Sequence, residues 1–124
     1  MAGIQSYRDL IVWQKGMELT AETYRLAKLM PRQEEYRLTS QLLRASASIP
    51  ANIAEGHARG TRKDYAHFVS IARGSLAETE TFLLLAVKVG LLQPDQTNIA
   101  LSLCGEIGRM LASLDARLRV PPET

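Results

Sequence analysis

The sequence predicts an all-α protein, folded as an up-down-up-down four-helix bundle. Apolar residues recur at spacings of three and four in four successive segments, which is the pattern of helices that bury one face. Links of about four to six residues join these segments, and links this short place consecutive helices side by side and antiparallel. No segment shows the alternation that is typical of a strand.

The length and composition of the chain fit one ordinary globular domain. The chain has 124 residues, of which 46% are hydrophobic and 23% charged, and this length is enough for a single core. We expect one domain over residues 1–119, followed by a loose tail over residues 120–124. Cys104 is the one cysteine, so no disulfide within the chain is expected, which suits a reducing cytoplasm.

The first predicted helix covers residues 8–29 and ends before Pro31, which disfavours helical geometry in the residue preceding it. Charged side chains fall on the side of this helix opposite its apolar stripe, so we expect the stripe to face the core. The predicted core positions of this helix are Leu10, Trp13, Met17, Thr20, Tyr24 and Ala27.

The second predicted helix begins near Glu35 and runs through Pro50 to Gly56. Its apolar register does not slip at Pro50, which predicts one kinked helix in which a Ser46 or Ser48 hydroxyl, or water, bonds the carbonyl that proline frees. Gly56 is predicted to end the helix in the left-handed conformation. The inward positions are Leu38, Leu42, Ala45, Ile49 and Asn52.

Asn52 is the polar exception in this predicted core face. A buried amide usually finds partners inside the protein, and the Tyr65 hydroxyl or a carbonyl freed near Pro50 is the expected partner. Direct contact with a ligand is the alternative role. Together Pro50, Asn52, Glu55 and Gly56 form the structural motif that we expect to set the geometry of this helix.

The third and fourth predicted helices have clear start and stop signals. Thr61 is placed to cap the third helix with Asp64 three residues on, and Gly90 followed by Leu91 predicts a Schellman ending. The fourth helix follows Pro94. The inward positions of the third are Tyr65, Phe68, Ala72, Ser75, Thr79, Phe82, Ala86 and Val89, and those of the fourth are Ile99, Leu103, Ile107, Met110, Leu114 and Leu118.

The third helix carries more apolar residues than one buried face needs. A helix of a small monomeric bundle normally keeps a polar outer side, so the excess predicts burial against another subunit. We therefore expect a homo-oligomer. The residues predicted for its interface are Leu76, Leu83, Leu84 and Leu85.

Positive charge is concentrated in the middle of the chain. Residues 37–73 hold six basic and two acidic side chains, a balance of +4, whereas the whole chain carries +2. Such an excess predicts an electrostatic surface for RNA or another nucleic acid, although it also serves to keep a surface solvated. The candidate nucleic-acid-binding residues are Arg37, Arg44, Arg59, Arg62, Lys63 and Arg73.

No arrangement of residues predicts a reaction, a cofactor or a metal site. The glycines of EGHARGTRK lack the GxxxxGK[ST] spacing of a phosphate loop. The chain also lacks the paired Glu-x-x-His motifs of a di-iron bundle. The most apolar run, FLLLAVKVGLL, has 11 residues where a membrane span needs about 20. We expect a soluble, cytoplasmic protein that is not an enzyme.

Three stretches of the chain resemble a known family. YRDLIVWQKGMEL, PRQEEYRLTSQLLRASASIPANIAEG and YAHFVSIARGSLAETE are similar to the 23S rRNA-intervening-sequence proteins, a family of four-helix bundles. The resemblance covers roughly residues 7–92 and implies a ring-shaped homo-oligomer, a homopentamer. A related bundle, the accessory protein of diversity-generating retroelements, forms a basic ring that engages nucleic acid and a reverse transcriptase. No enzymatic activity or settled role comes with the family.

The leading interpretation is a non-catalytic oligomeric bundle that binds RNA or other nucleic acid, with a nucleic-acid-processing protein as a further candidate partner. The alternative is a scaffold for protein interactions, in which the basic surface has no role. A third interpretation is an enzyme whose site is assembled between subunits from Asn52, Glu55 and Glu78.

Overall fold

The computed structural model describes residues 3–121, and within them the chain forms four α-helices and no strand. The all-helical, four-helix prediction is confirmed. The last helix ends at Arg119, and residues 122–124 of the predicted tail lie outside the described residues. The helices are α1 (Ile11–Ala27), α2 (Ser40–Ala58), α3 (Arg62–Lys88) and α4 (Asn98–Arg119). Shorter helical turns are 3₁₀ at Tyr7–Asp9, Arg32–Glu34 and Pro94–Thr97, and π at Glu35–Thr39.

Each helix packs antiparallel to the helices next to it in the sequence, and α4 returns to pack against α1. Contacts between neighbouring helices show this, because residue numbers rise on one helix as they fall on the other. Helices α1 and α2 meet at Gly16–Pro50 and Thr20–Ser46, and α2 and α3 meet at Ser48–Ser75 and Gly56–Phe68. Helices α3 and α4 meet at Arg73–Asp115 and Leu76–Gly108, and α1 and α4 meet at Lys15–Glu106.

Helices α1 and α2 meet at Pro50. Pro50 has no amide hydrogen, so the carbonyl of Ser46 is left without its helical partner, yet α2 continues through this position as predicted. The Thr20 hydroxyl donates to that carbonyl at 2.9 Å, and the Thr23 and Ser46 hydroxyls lie 2.7 Å apart. The predicted partner was a Ser46 or Ser48 hydroxyl or water, and this was wrong: the partner comes from α1.

Gly16 faces the Pro50 ring where α1 and α2 meet, and a small side chain would also fit there. A Cβ atom at Gly16 would lie 3.4 Å from both Cβ and Cδ of Pro50, which is ordinary van der Waals contact. The Thr20 hydroxyl also lies 3.0 Å from the Gly16 carbonyl, so one hydroxyl hydrogen is shared between two acceptors, one in each helix. The α1–α2 interface is therefore built from small and polar residues around a proline ring.

Gly56 does not end α2, contrary to the prediction. It is buried inside the helix, where an added Cβ would lie 2.8 Å from Cβ of Phe68 and 3.1 Å from Cδ1 of Tyr65. The left-handed residue in this connection is Gly60, with φ of +87°. Gly56 thus serves the close packing of α2 against α3, a role that a helix-capping pattern does not reveal.

The predicted core face of α1 was wrong: the buried positions each lie one residue before the predicted ones, which turns the inner face by about 100°. Met17 and Tyr24, both predicted to be inside, are 47% and 54% exposed. Large apolar residues dominated the predicted stripe, whereas the true inner face includes Gly16 and Thr23. The buried residues of α1 are Val12, Gly16, Leu19, Thr23 and Leu26.

The capping predictions for α3 are confirmed. Thr61 accepts a hydrogen bond from the Asp64 amide, and Gly90, with φ of +81°, ends the helix while the Leu91 amide bonds the Ala86 carbonyl at 2.8 Å. The predicted inward residues Ala72, Ser75, Thr79, Ala86, Leu103 and Ile107 are buried. Val89 and Ile99 are exposed, so these two core predictions were wrong.

The glycines of α2 and α3 give a matched test of this packing. We expect Gly56→Ala to lower the free energy of unfolding by about 1–3 kcal/mol, because the new methyl group overlaps Phe68 and backbone must shift. Gly74, inside α3, has open space at its Cβ position, so Gly74→Ala should raise that free energy by about 0.5–1 kcal/mol. Urea unfolding followed by circular dichroism measures both, and a Gly56→Ala protein as stable as wild type would contradict the packing.

Candidate nucleic-acid interface

The six predicted nucleic-acid-binding residues do not form one surface. Arg37 lies in the π-helical turn before α2, at the opposite end of the bundle from Arg59, and it pairs with Glu34 at 3.6 Å. Arg44 lies exposed along the middle of α2. Arg59, Arg62 and Lys63 do come together, because they flank the tight turn between α2 and α3.

Three of the six cations are held by acidic residues of the same chain, Arg37 among them by Glu34. Arg59 pairs with Glu55 at 2.9 Å and its guanidinium lies 5.0 Å above the Phe68 ring. Arg73 reaches Asp115 of α4 at 3.1 Å, and that carboxylate also accepts from Arg119. These pairs reduce the local positive charge and fix the side chains to the bundle surface.

Arg62 has a structural contact that the sequence did not predict. Its guanidinium donates to the carbonyls of Arg117 and Val120, at 2.6 and 2.7 Å. The last carbonyls of a helix lack partners within that helix, and a cation near them also interacts favourably with the helix dipole. Arg62 therefore joins the start of α3 to the end of α4.

The structure adds basic residues that sequence reasoning missed. The antiparallel order brings the start of α1 and the end of α4 to the α2–α3 turn, so three more arginines join Arg59, Arg62 and Lys63 there. A bundle topology combined with the charges at each helix end would have indicated them. They are Arg8, Arg117 and Arg119, whereas Arg109 lies nearer the middle of α4.

We define the basic end as the half of the bundle made of residues 3–16, 50–73 and 108–121, which the Gly16–Pro50 contact separates from the rest. Within the described chain this half holds nine basic and four acidic side chains, a balance of +5. The other half, residues 17–49 and 74–107, holds six basic and eight acidic ones, a balance of −2. The charge of the bundle is therefore polarised along its axis.

Five cations of the basic end have no acidic partner within the described residues. In the other half, Arg25 and Arg37 pair with Glu22 and Glu34, and the remaining four cations also lack an acidic partner among the described residues. The two halves therefore differ in net charge, not in the presence of unpaired cations. Unpaired guanidinium and ammonium groups on one surface are the groups that contact phosphates in nucleic-acid complexes. The five are Arg8, Arg62, Lys63, Arg109 and Arg117.

The predicted oligomer interface needs correction. Leu76 and Leu83 are buried in the core of their own chain, because α3 contacts both α2 and α4 and so has two inner sides. Leu84 and Leu85 are 54% and 40% exposed. Consecutive helical residues point about 100° apart, so these two leucines do not make one face.

A different apolar surface lies along α1 and α2. The Thr20 hydroxyl contacts α2, so the stripe of α1 that contains Thr20 lies on the α2 side. This stripe also includes Trp13, Met17 and Tyr24. On α2, Leu43, Ala47 and Ala54 are one turn from Ser46 and Pro50, which contact α1. These six residues, which we call the α1–α2 apolar face, are half-buried or exposed and include no charge.

The side-chain amide of Asn52 finds its hydrogen-bond partners inside α2. Its amide donates to the carbonyl and the hydroxyl of Ser48, both at 2.8 Å, and the Ser48 hydroxyl meets that of Ser75 in α3 at 2.8 Å. The predicted structural role fits this geometry. Of the two predicted partners, the Tyr65 hydroxyl was wrong, whereas a backbone carbonyl near Pro50, that of Ser48, does accept from the amide. The Tyr65 hydroxyl is buried without a hydrogen-bond partner in the part of the chain that the structure describes.

Asn52, Glu55 and Glu78 do not meet within one chain. Glu78 lies beside Arg44 and Ser75, whereas Glu55 lies near Phe68, about ten residues or 15 Å away along α3. Cys104 is buried, and burial, followed by the charge of Glu80, raises the pKa of its thiol to about 12. The thiol therefore stays protonated at neutral pH and is a poor nucleophile.

Residues 3–121 show neither a metal-binding cluster nor a membrane-spanning helix. No three His, Cys, Asp or Glu side chains there come together in a way that could hold a metal ion. None of the described helices combines the length and the apolar character needed to cross a bilayer.

These features define an all-helical, antiparallel four-helix bundle with charge polarised along its axis. The family model of the 23S rRNA-intervening sequence protein matches residues 8–113, and the chain belongs to this family, which confirms the resemblance. The chain is also similar to a solved structure from Bacteroides thetaiotaomicron, a protein of unknown function from the S23 ribosomal protein family. Identity is 28% and the TM-score 0.79, over 85% of this chain and 98% of that one. No curated protein matches the chain.

Proposed function

We propose that the chain is a non-catalytic bundle that binds RNA or another nucleic acid through its basic end. The observation that carries this proposal is the axial charge difference, +5 against −2. Phosphate groups neutralise such cations and release condensed counterions, which drives binding. Single-strand binders that read bases usually expose aromatic rings beside the cations. The basic end has few exposed rings, so we expect backbone contacts and little sequence preference.

Assembly of several copies into one oligomer would raise the affinity for nucleic acid. One basic end offers few phosphate contacts, but several ends in one oligomer raise the effective concentration of each for the same polyanion. We propose that the α1–α2 apolar face holds the copies together, because exposed apolar groups without charge favour burial against a partner. The family resemblance favours a ring of five. The lone buried thiol of Cys104 suits the reducing cytoplasm, where we place the protein.

A protein-interaction scaffold is the second candidate function, and the same α1–α2 apolar face favours it. Trp13, Met17 and Tyr24 are residue types that are enriched at protein interfaces. If this face binds a different protein, such as a nucleic-acid-processing enzyme, the chain would stay monomeric without that partner. Oligomeric state and nucleic-acid affinity together distinguish the two functions.

The first experiment measures RNA affinity by fluorescence anisotropy against salt concentration. The triple variant Arg8→Gln, Lys63→Gln and Arg117→Gln should flatten the slope of log affinity against log salt by about 2–3, since each phosphate that is no longer neutralised accounts for roughly 0.7–0.9. The control variant Lys28→Gln, Arg32→Gln and Lys88→Gln removes the same charge from the other half and should keep the wild-type slope. Equally flattened slopes in both variants, or no wild-type binding at low salt, would overturn the proposal.

The second experiment measures mass by light scattering at micromolar concentration. Wild type should be several times heavier than the 13.7 kDa chain. Met17→Glu with Tyr24→Glu should shift the mass towards that of one chain while helicity is retained, because two charges would be buried at the interface. Leu84→Glu with Leu85→Glu is the matched control and should leave the mass unchanged. A monomeric wild type would contradict self-association, and a lower mass in the control alone would assign the interface to α3.

A further inference from the structure

A cavity of about 480 Å³ opens between α1 and α4 at the basic end, with Tyr65 of α3 at its wall. This volume falls within the range of small-molecule sites. Most of the wall is aliphatic, and four side chains add polar groups. The aliphatic residues are Leu10, Ile11, Val12, Met110 and Leu114, and the polar ones are Tyr65, Arg109, Ser113 and Arg117.

Tyr65 supplies a hydrogen-bond donor that nothing in the described chain uses. Its hydroxyl oxygen is shielded from solvent and has no partner within residues 3–121. Burial raises the pKa of Tyr65, and the nearby charge of Arg117 only partly opposes this, so the hydroxyl keeps its hydrogen at neutral pH. Buried hydroxyls without partners are rare, and one beside a cavity indicates a position for a ligand atom.

Arg109 and Arg117 supply positive charge at the same cavity. They lie two turns apart on α4, on the side that faces α1, and neither has an acidic partner among the described residues. The neighbouring cations Arg73 and Arg119 share Asp115, which leaves no carboxylate for this pair. An incoming anion would therefore meet two free guanidinium groups and one hydroxyl donor.

We propose that this cavity binds an amphipathic anion, an organic acid with an aliphatic tail. The carboxylate accepts hydrogen bonds from Arg117 and the Tyr65 hydroxyl, with Arg109 adding charge, and the tail packs on Leu10, Val12 and Leu114. Aliphatic walls favour an alkyl chain, whereas a nucleobase would need aromatic side chains on which to stack. The site shares Arg109 and Arg117 with the cations proposed to contact nucleic acid, and its aliphatic wall distinguishes it from those phosphate contacts.

The test compares three probes by isothermal titration calorimetry on the full chain. Octanoate has the charged head and the tail, 1-octanol has the tail alone, and acetate has the head alone. We expect octanoate to bind about tenfold or more tighter than 1-octanol, because charge-assisted hydrogen bonds are the strong ones, and acetate to show no binding. Equal affinity for octanoate and 1-octanol, or no binding of octanoate at millimolar concentration, would overturn the proposal.

Variants then assign the binding to this cavity. Arg109→Gln with Arg117→Gln should remove the preference for octanoate and leave 1-octanol unaffected. Tyr65→Phe should weaken octanoate about fivefold or more and keep the fold, since it removes a hydroxyl that has no partner in the free protein. Arg8→Gln with Lys63→Gln is the control, with the same loss of two charges at the same end but outside the cavity, and should bind as wild type does. Octanoate binding unchanged by the double arginine variant would also overturn the proposal.

Discussion

The contact between Thr20 and the Ser46 carbonyl is the interaction on which the rest of the bundle depends. Pro50 frees that carbonyl and also presents its ring to α1, so α2 can keep a proline in its interior only where a donor and a small residue face it. Thr20 is the donor and Gly16 is the small residue. Because both lie on α1, they fix the register in which α1 and α2 pack.

That register determines which helix ends share one end of the bundle. With Gly16 level with Pro50, the start of α1 lies beside the end of α2, and Gly56 then brings the start of α3 close against it. Arg62 completes the arrangement by bonding the last carbonyls of α4. The half of the bundle around these four helix ends carries nine of the fifteen basic residues, so the polarised charge follows from the register in which the helices pack.

The sequence was sufficient for local structure and insufficient for packing between helices. The Thr61 cap and the Gly90 ending depend on residues within one turn, so their patterns predicted them correctly. The predicted inner face of α1 was wrong because periodicity favours large apolar residues, whereas the buried face includes the small residues Gly16 and Thr23. Leu76 and Leu83 of α3 misled for a similar reason, since a helix with two neighbours in its own chain is apolar on two sides. Three of the six predicted cations lie together, and the arginines of α4 could be placed only once the helix order was known.

A double-mutant cycle on Thr20 and Pro50 tests the role of this contact most directly. Thr20→Val removes the donor and leaves the Ser46 carbonyl buried without its cross-helix partner, which should lower the free energy of unfolding by about 1–3 kcal/mol. Pro50→Ala restores an amide that can bond the same carbonyl, so in that background Thr20→Val should cost much less. A coupling energy of about 1 kcal/mol or more between the two positions is the predicted result. Strictly additive effects, with Thr20→Val equally costly in both backgrounds, would contradict the dependence of α2 on α1 at Pro50.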